Sequence, residues 1–418
     1  MSKLRLILFL LTVNSIAVFS QTSAEDTSNV NRKDAIRLYI DCDYCDIDFI
    51  KQNISLVNYV RDRKSADVHL LITDMTTGSG GDEYTLQFIG KGKYKTLTDT
   101  LKFSLPPNTA KDELRNTQLK YIKKGLTPFI LKTSLADKIM IDFEQKETKK
   151  QELVEDKWHS WVFEASMSGY SNGDDVYTNH NLWSSINISK VTPDIKIEIS
   201  FNNNYAESEY RLSFDTLKTY RNSNYGNILI AKSIGEHWAA GGFLNMQGSS
   251  YSNIKIMAGA APAIEYNLFK YSEATTKQLR FLYRVGYKYN DYIDTTIYNK
   301  TEEHLMYHHL SINFSYVQQW GNIGFSLYGY QYFNDYTKYN LGIYLYNRIN
   351  LFKGFSLYIN GGYSQQRDQL SLRKTASSTE EILLRQKEVA TNYSYWVNFG
   401  FSYTFGSIYN NVVNPRFN

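Results

Sequence analysis

A cysteine pair, one serine turn and a short run of histidines are the residues whose types and spacing suit chemistry. Cys42 and Cys45 form a Cys-x-x-Cys inside Asp41-Cys42-Asp43-Tyr44-Cys45-Asp46. The motif falls between an expected strand and an expected helix, the placement of thioredoxin-like redox pairs. A helix N-terminus lowers a thiol pKa, but the flanking aspartates oppose a thiolate. In an oxidising compartment a structural disulfide is the simpler expectation. Two thiols exclude a four-cysteine zinc site, and the aspartates lack the Gly and Glu of a calcium loop. Ser171-Asn172-Gly173 offers a hydroxyl that needs a neighbouring base to become a nucleophile. His180 is the candidate on the next expected strand, although Ser-Asn-Gly is also ordinary turn chemistry. Glu302, His304, Met306 and His308 alternate on one face, which suits a shared metal ion. That face continues as Leu310, Ile312, Phe314 and Tyr316, so it reads as the outer end of an apolar strand. Gly78-Ser79-Gly80-Gly81 joins two strands without a following Gly-Lys-Ser/Thr and is no phosphate loop. The expectation is a non-enzymatic protein with no catalytic residue, no cofactor and no metal.

The elements that position these residues fall in two regions. Residues 34–144 read as a small α/β domain. Strands are expected at Ile36–Ile40, Val68–Ile72, Tyr84–Ile89, Thr100–Leu105 and Lys138–Phe143. A helix capped by Asp46 or Asp48 should cover about 49–60. A second should run from Asn108 or Thr109 to about Lys124, limited by Pro128. Residues 145–157 carry eight charges in thirteen positions and read as a solvated linker.

From Trp158 the texture changes. Residues 157–418 hold 29 of the 35 tyrosines. Tyr393, Tyr395, Val397, Phe399, Phe401, Tyr403 and Phe405 alternate with Ser394, Trp396, Asn398, Gly400, Ser402 and Thr404. Period two is strand geometry. Twelve such strands are expected, near 158–170, 180–190, 194–210, 224–234, 237–248, 254–267, 278–292, 303–318, 322–333, 338–349, 354–370 and 389–405. Long polar connections such as 211–223, 293–302 and 371–388 alternate with tight turns at 191–193, 235–236, 319–321 and 350–353. The connection at 268–277 is less tight. An even strand number with short turns at one end describes an outer-membrane β-barrel, residues 158–405. Residues 406–418 form a tail.

Lipid fixes the faces. Apolar residues point outward and polar ones inward. The lumen should therefore be lined by Glu164, Glu198, Glu265, Arg280, Arg284, Tyr328, Tyr330, Tyr344, Tyr346 and Arg348, either as a selectivity lining or as a structural ion network. Outward tyrosines such as Tyr283, Tyr316, Tyr395 and Tyr403 fit aromatic girdles. Bulky phenols and only twelve strands point to a restricted or plugged lumen.

Composition sets further bounds. Aromatic residues make up 15 % of the chain, against disorder. No apolar run outside the extreme N-terminus approaches the ~18 residues of a membrane helix. A net charge of +4 is too mild to imply nucleic acid. Lys3, Arg5, the apolar run Leu6–Leu11 and the small Val18 and Ser20 suit a secretory signal peptide over 1–20.

Three stretches carry resemblances. The Tyr- and Asn-rich strands, Gln21 after the cleavage point and the terminal strand Trp396–Phe405 resemble outer-membrane barrel proteins of Bacteroidetes-type bacteria. Tyr59–Thr73 is similar to a segment of uncharacterised members of that group. The hairpin after it is similar to the N-terminal α/β domains of TolB-like periplasmic proteins. This resemblance implies location and architecture and brings no substrate. Ser171-Asn172-Gly173 resembles the His-x-Ser-Asn-Gly stretch of the twelve-stranded outer-membrane phospholipases, which work on the outside of the barrel. Gly169 stands where their His would be.

The expectation is thus an all-β transmembrane barrel preceded by a periplasmic α/β domain. It would act as a narrow channel for small solutes, or as a non-conducting anchor, with an outer-membrane hydrolase as a distant third. Its partners would be outer-membrane lipid and a periplasmic protein docking on residues 34–144, with no nucleic acid.

Overall fold

A computed structural model describes residues 33–140 and 156–413, apart from 78–79, 108, 212–214, 353, 376–386, 408, 410 and 412. The expected signal peptide and most of the charged linker lie outside the described residues.

The N-terminal domain contains β1 (Arg37–Asp41), α1 (Ile47–Asn53), β2 (Asn58–Tyr59), β3 (Val68–Thr76), β4 (Asp82–Gly90), β5 (Thr98–Leu105) and α2 (Lys111–Ile130). The sheet order is β2-β1-β3-β4-β5. β1 runs parallel to β2 and β3, and β3-β4-β5 is antiparallel. Leu38, Val68, Leu70, Leu86 and Phe88 present one buried face to Ile122, Leu126 and Phe129 of α2. Gly125 lets the helix approach: a Cβ there would lie 2.1 Å from the Phe88 ring. Asp46 caps α1 by accepting the Phe49 N–H at 2.9 Å, which satisfies one of the donors a helix start leaves open.

Three local expectations need correction. The first helix stops at Asn53 instead of reaching 60. The Tyr59 hydroxyl donates to the carbonyls of Ile50 and Ile54, at 3.2 and 2.9 Å, and so closes the helix end. The second helix runs through Pro128 to Ile130. An interior proline costs about 3 kcal/mol, but Pro128 is exposed and burial of Phe129 and Ile130 returns about 1.5–3 kcal/mol each. Finally, Lys138–Phe143 does not open as a strand: Ala136–Lys138 is a 3₁₀ turn and Ile139–Met140 is irregular, while 141–143 lie outside the described residues.

The second region is an antiparallel barrel sheet of twelve strands: β6 (Trp161–Gly173), β7 (Tyr177–Val191), β8 (Ile195–Arg211), β9 (Thr216–Ser233), β10 (Trp238–Ser249), β11 (Ile254–Asn267), β12 (Lys277–Tyr292), β13 (Glu302–Gln318), β14 (Gly321–Tyr332), β15 (Tyr339–Phe352), β16 (Phe355–Gln366) and β17 (Tyr393–Tyr403). Each pairs with its sequence neighbours, in the order β6 to β17. All twelve expected strands are present. The expected loop 211–223 is a correction. β8 and β9 have 17 and 18 residues, more than the ~9–11 that span a bilayer. Their polar ends keep pairing beyond it, and only 212–215 separates them.

The sheet is rolled. Arg373, after β16, donates to the carbonyl of Ser250 beside β10 at 2.7 Å and to Asp294 beyond β12 at 2.8 Å. In a flat sheet β10 and β16 would lie about 29 Å apart, at ~4.8 Å per strand. Among the described residues no ladder joins β6 to β17.

Candidate functional site

Strand register assigns every side chain to a face, because opposed residues share one. The outward face is apolar from strand to strand: Leu341, Ile343 and Leu345 on β15, Leu357 and Ile359 on β16, Val397, Phe399 and Phe401 on β17. The inward face carries Asn, Ser, Tyr and the charges.

The expected ion network does not assemble. Glu265 and Arg280 meet, with Nε 3.7 Å from the carboxylate. Glu198 pairs with Lys196 on its own strand at 2.8 Å. Glu164 lines a cavity with Pro106, Pro107 and Leu114 of the α/β domain and stays away from the arginines. Arg348 lies on the inward face but at the mouth, 3.5 Å from Asp43 of the α/β domain. Arg284 has no carboxylate within ion-pair distance among the described residues; its guanidinium sits 5.0 Å over the Phe243 ring.

The tyrosine wall does assemble. Tyr328 stacks on Tyr344 at 5.9 Å between centroids, and Tyr330 on Tyr307 at 4.7 Å. Tyr346 lies 6.4 Å from Trp396. Lys288 projects over the rings of Tyr330 and Tyr332, at 5.4 and 4.9 Å, a cation–π placement that favours a desolvated ammonium. Tyr307, Tyr328, Tyr330, Tyr332 and Lys288, with Arg284, His309 and Asp368, line a lumen cavity of about 390 Å³.

Both ends of the lumen are covered. At the end away from the α/β domain the connection after β16 folds inward. Leu370 and Leu372 are buried with Leu305, Tyr307 and Tyr332. Asn253 Nδ2 donates to the Ser371 carbonyl at 2.8 Å, and Ile297 N–H to that of Leu372 at 2.8 Å. At the other end sits the α/β domain. Arg63 donates to the Asn350 carbonyl at 2.7 Å. Arg61 donates to the carbonyls of Phe405 and Ser407. Tyr39, Leu71 and Thr73 share a cavity of about 480 Å³ with Ser315, Asn322 and Arg348. Cavities separate the domain from β6 and β7 on one side and from β15 to β17 on the other, bridged at β15 by Arg63 and Arg348.

The tail strengthens this contact. Val60 and Tyr409 form an antiparallel bridge, and Asn411 bonds Tyr59 and Asn58. Nothing in the sequence pattern of 406–418 announces that role, since a single bridge has no periodicity to read. Strand parity places His309 on the inward face, but Asp368 was missed. Asp368 belongs to a loop, where alternation carries no information.

The remaining candidates separate. Cys42 and Cys45 are joined in a disulfide with Cα atoms 5.7 Å apart. His304 meets the Tyr287 hydroxyl at 2.5 Å and His308 meets Gln331 at 3.2 Å. Among the described residues no group of three or more His, Cys, Asp or Glu is arranged to hold a metal. Ser171 and His180 do come together. They are directly opposed on β6 and β7, with Ser171 Oγ 2.9 Å from His180 Nδ1. Register puts the pair on the outward face. Ten residues from Trp161 at ~3.4 Å each, tilted ~40°, place it about 25 Å along the barrel axis. Glu207 opposes His180 on β8 but accepts from the Tyr205 hydroxyl at 3.0 Å, and among the described residues no carboxylate bonds His180.

No protein-family model and no curated protein matches this chain. Solved structures do match, at low similarity. A NanC porin shares 12 % identity over 58 % of this chain and 99 % of its own, with a TM-score of 0.28. CdiB from Acinetobacter baumannii shares 9 % identity over 88 % of this chain and 73 % of its own, with a TM-score of 0.27.

Proposed function

We propose that this chain is an outer-membrane β-barrel acting as a narrow, gated channel for small solutes, with its α/β domain on the periplasmic mouth. The observation that carries the reading is the covered lumen: a polar, cation-bearing cavity lies between an infolded outer loop and a docked domain. An apolar outward face and a polar inward one are what a hydrocarbon surround selects. In a bilayer β6 and β17 pair with each other, because an open edge would strand a row of N–H and C=O groups. The even strand count makes that seam antiparallel.

The short turns, which lie with the α/β domain, and the long connection after β16 support this orientation. A soluble periplasmic partner would meet the face of residues 34–144 that the barrel leaves free.

Single-channel recording in planar bilayers tests this. The full chain should show rare, small openings, and Arg61→Ala/Arg63→Ala, which removes two of the side chains that hold the domain to the barrel, should open more often. Absence of steps in both would sink the channel and leave a membrane anchor for envelope partners.

The Ser171–His180 contact favours a second reading, an esterase acting at the outer membrane surface. A hydroxyl bonded to an imidazole is the first requirement of an activated serine. The outward placement near the outer edge of the apolar band would present it to lipid esters. Hydrolysis of a short-chain p-nitrophenyl ester, abolished by Ser171→Ala and by His180→Ala, is required by this reading.

A further inference from the structure

We propose that the lumen holds a binding site for a small organic anion that joins an oxyanion group to a flat ring, with Arg284 and His309 as its centre. The inference rests on the barrel reading above and adds the chemistry of what enters it.

Two unused polar atoms point to it. Arg284 Nε and His309 Nδ1 are both buried and both lack a hydrogen-bond partner. They sit on the inward face of directly opposed positions, Arg284 on β12 and His309 on β13. Both line the same cavity. A buried polar atom without a partner is costly, so two such atoms on neighbouring residues that line one cavity mark a place where water or a ligand supplies the bonds.

Charge decides which ligand. Two cations line the cavity, Arg284 and Lys288, against one carboxylate, Asp368. That carboxylate is engaged by the Asn340 amide at 3.4 Å and does not reach Arg284. A guanidinium without a carboxylate is a fork awaiting an oxyanion, which it binds with paired N–H donors. The Arg284 guanidinium carbon lies 5.0 Å from the centroid of the Phe243 ring.

Shape decides the rest. Tyr328 and Tyr330 flank the His309 ring, at 6.5 and 6.4 Å between centroids, and Tyr307 stacks on Tyr330. These are flat apolar surfaces beside the oxyanion fork, suited to an aromatic ring or to the C–H face of a sugar. The cavity of about 390 Å³ is of single-ligand size.

Equilibrium binding tests this without any need for conduction. Benzoate, benzamide and inorganic phosphate are titrated into the purified full chain in detergent, by calorimetry. Benzoate should bind at least about tenfold more tightly than either. Arg284→Gln should lose at least about tenfold of benzoate affinity, and Arg284→Lys, which keeps the charge but not the fork, should fall between. Heat-modifiable migration in gels confirms that both variants hold folded barrels. Lys255→Gln, at an exposed ion pair on β11, should change nothing. Equal binding of benzoate and benzamide, or undiminished affinity in Arg284→Gln, would overturn the site. Equal binding of phosphate and benzoate would overturn its aromatic part. Benzoate binding without channel steps would keep the site and refute the channel, whereas steps without binding would do the reverse.

Discussion

Asn411 accepts the backbone N–H of Tyr59 at 2.6 Å, which ties the C-terminal tail to the edge strand of the N-terminal domain. Both residues are buried. The contact joins the two ends of the fold directly. The domain is therefore held at the mouth by its own side chains and by the segment that follows the last strand. Asn411→Ala strands a buried N–H, at a cost of about 1–3 kcal/mol. The expected result is a lower melting temperature of the α/β domain and faster proteolysis within 33–140, with the barrel intact. An unchanged melting temperature would show that the tail contact contributes nothing.

The α/β domain should weaken in two steps as pH falls. Burial drives the His69 imidazole below its ordinary value, and its bond to Asp41 only partly offsets this. The folded state therefore keeps His69 neutral, and stability is lost as pH drops below about 6.5, where the unfolded chain takes up the proton. Burial raises the Asp67 carboxyl, but the bonds from Arg37 lower it more, and the net shift is downward. That contribution is present above the ordinary carboxylate value and is lost as pH falls from there through the depressed folded-state value. Domain melting temperatures between pH 8 and 3 should show both steps. His69→Leu should remove the first alone, and an identical profile in that variant would refute the assignment.

Gly125→Ala sets two effects against each other. Alanine gains up to about 1 kcal/mol of helix propensity. The new Cβ meets the fully buried Phe88 ring at 2.1 Å, however, and overpacking costs about 1–3 kcal/mol. Net destabilisation is expected in chemical denaturation of the domain. A stabilised variant would mean that α2 can lift from the sheet without penalty.

The seam between β6 and β17 is testable by crosslinking. A cysteine at Ala165 on the outward face of β6, combined in turn with cysteines at Val397, Phe399 and Phe401 of β17, should give one dominant disulfide in membranes. Closed ladders have a single register. Equal, weak crosslinking at all three would argue for open edges, and crosslinks between chains would argue for pairing with a second copy.

Much of this was legible from the residues alone. The alternation of Tyr395, Val397, Phe399 and Phe401 with Trp396, Asn398 and Gly400 sets strand identity and face together, because a period of two leaves no other solution. Twelve strands follow from twelve such runs. Arg284 and Tyr328 are inward for the same reason. Helix ends were less legible, since Pro128 and Tyr59 act through burial that no local pattern encodes.

Tertiary structure alone decided which of these residues meet. Inward parity grouped Glu164, Glu198, Glu265, Arg280, Arg284 and Arg348 as equals. Strand shear then sent Arg348 to Asp43, Glu198 to Lys196 and Glu164 to a cavity shared with the domain, and left Arg284 beside His309 without a carboxylate among the described residues. Ser171 and His180 met because the β6–β7 register opposes them. Asp368 reached the lumen only because its loop folds inward. The sequence by itself determined strand, face and strand number, which depend on neighbours two residues away. Height along the barrel and contacts across it depend on the shear summed over many strands, and only the folded sheet sets that sum.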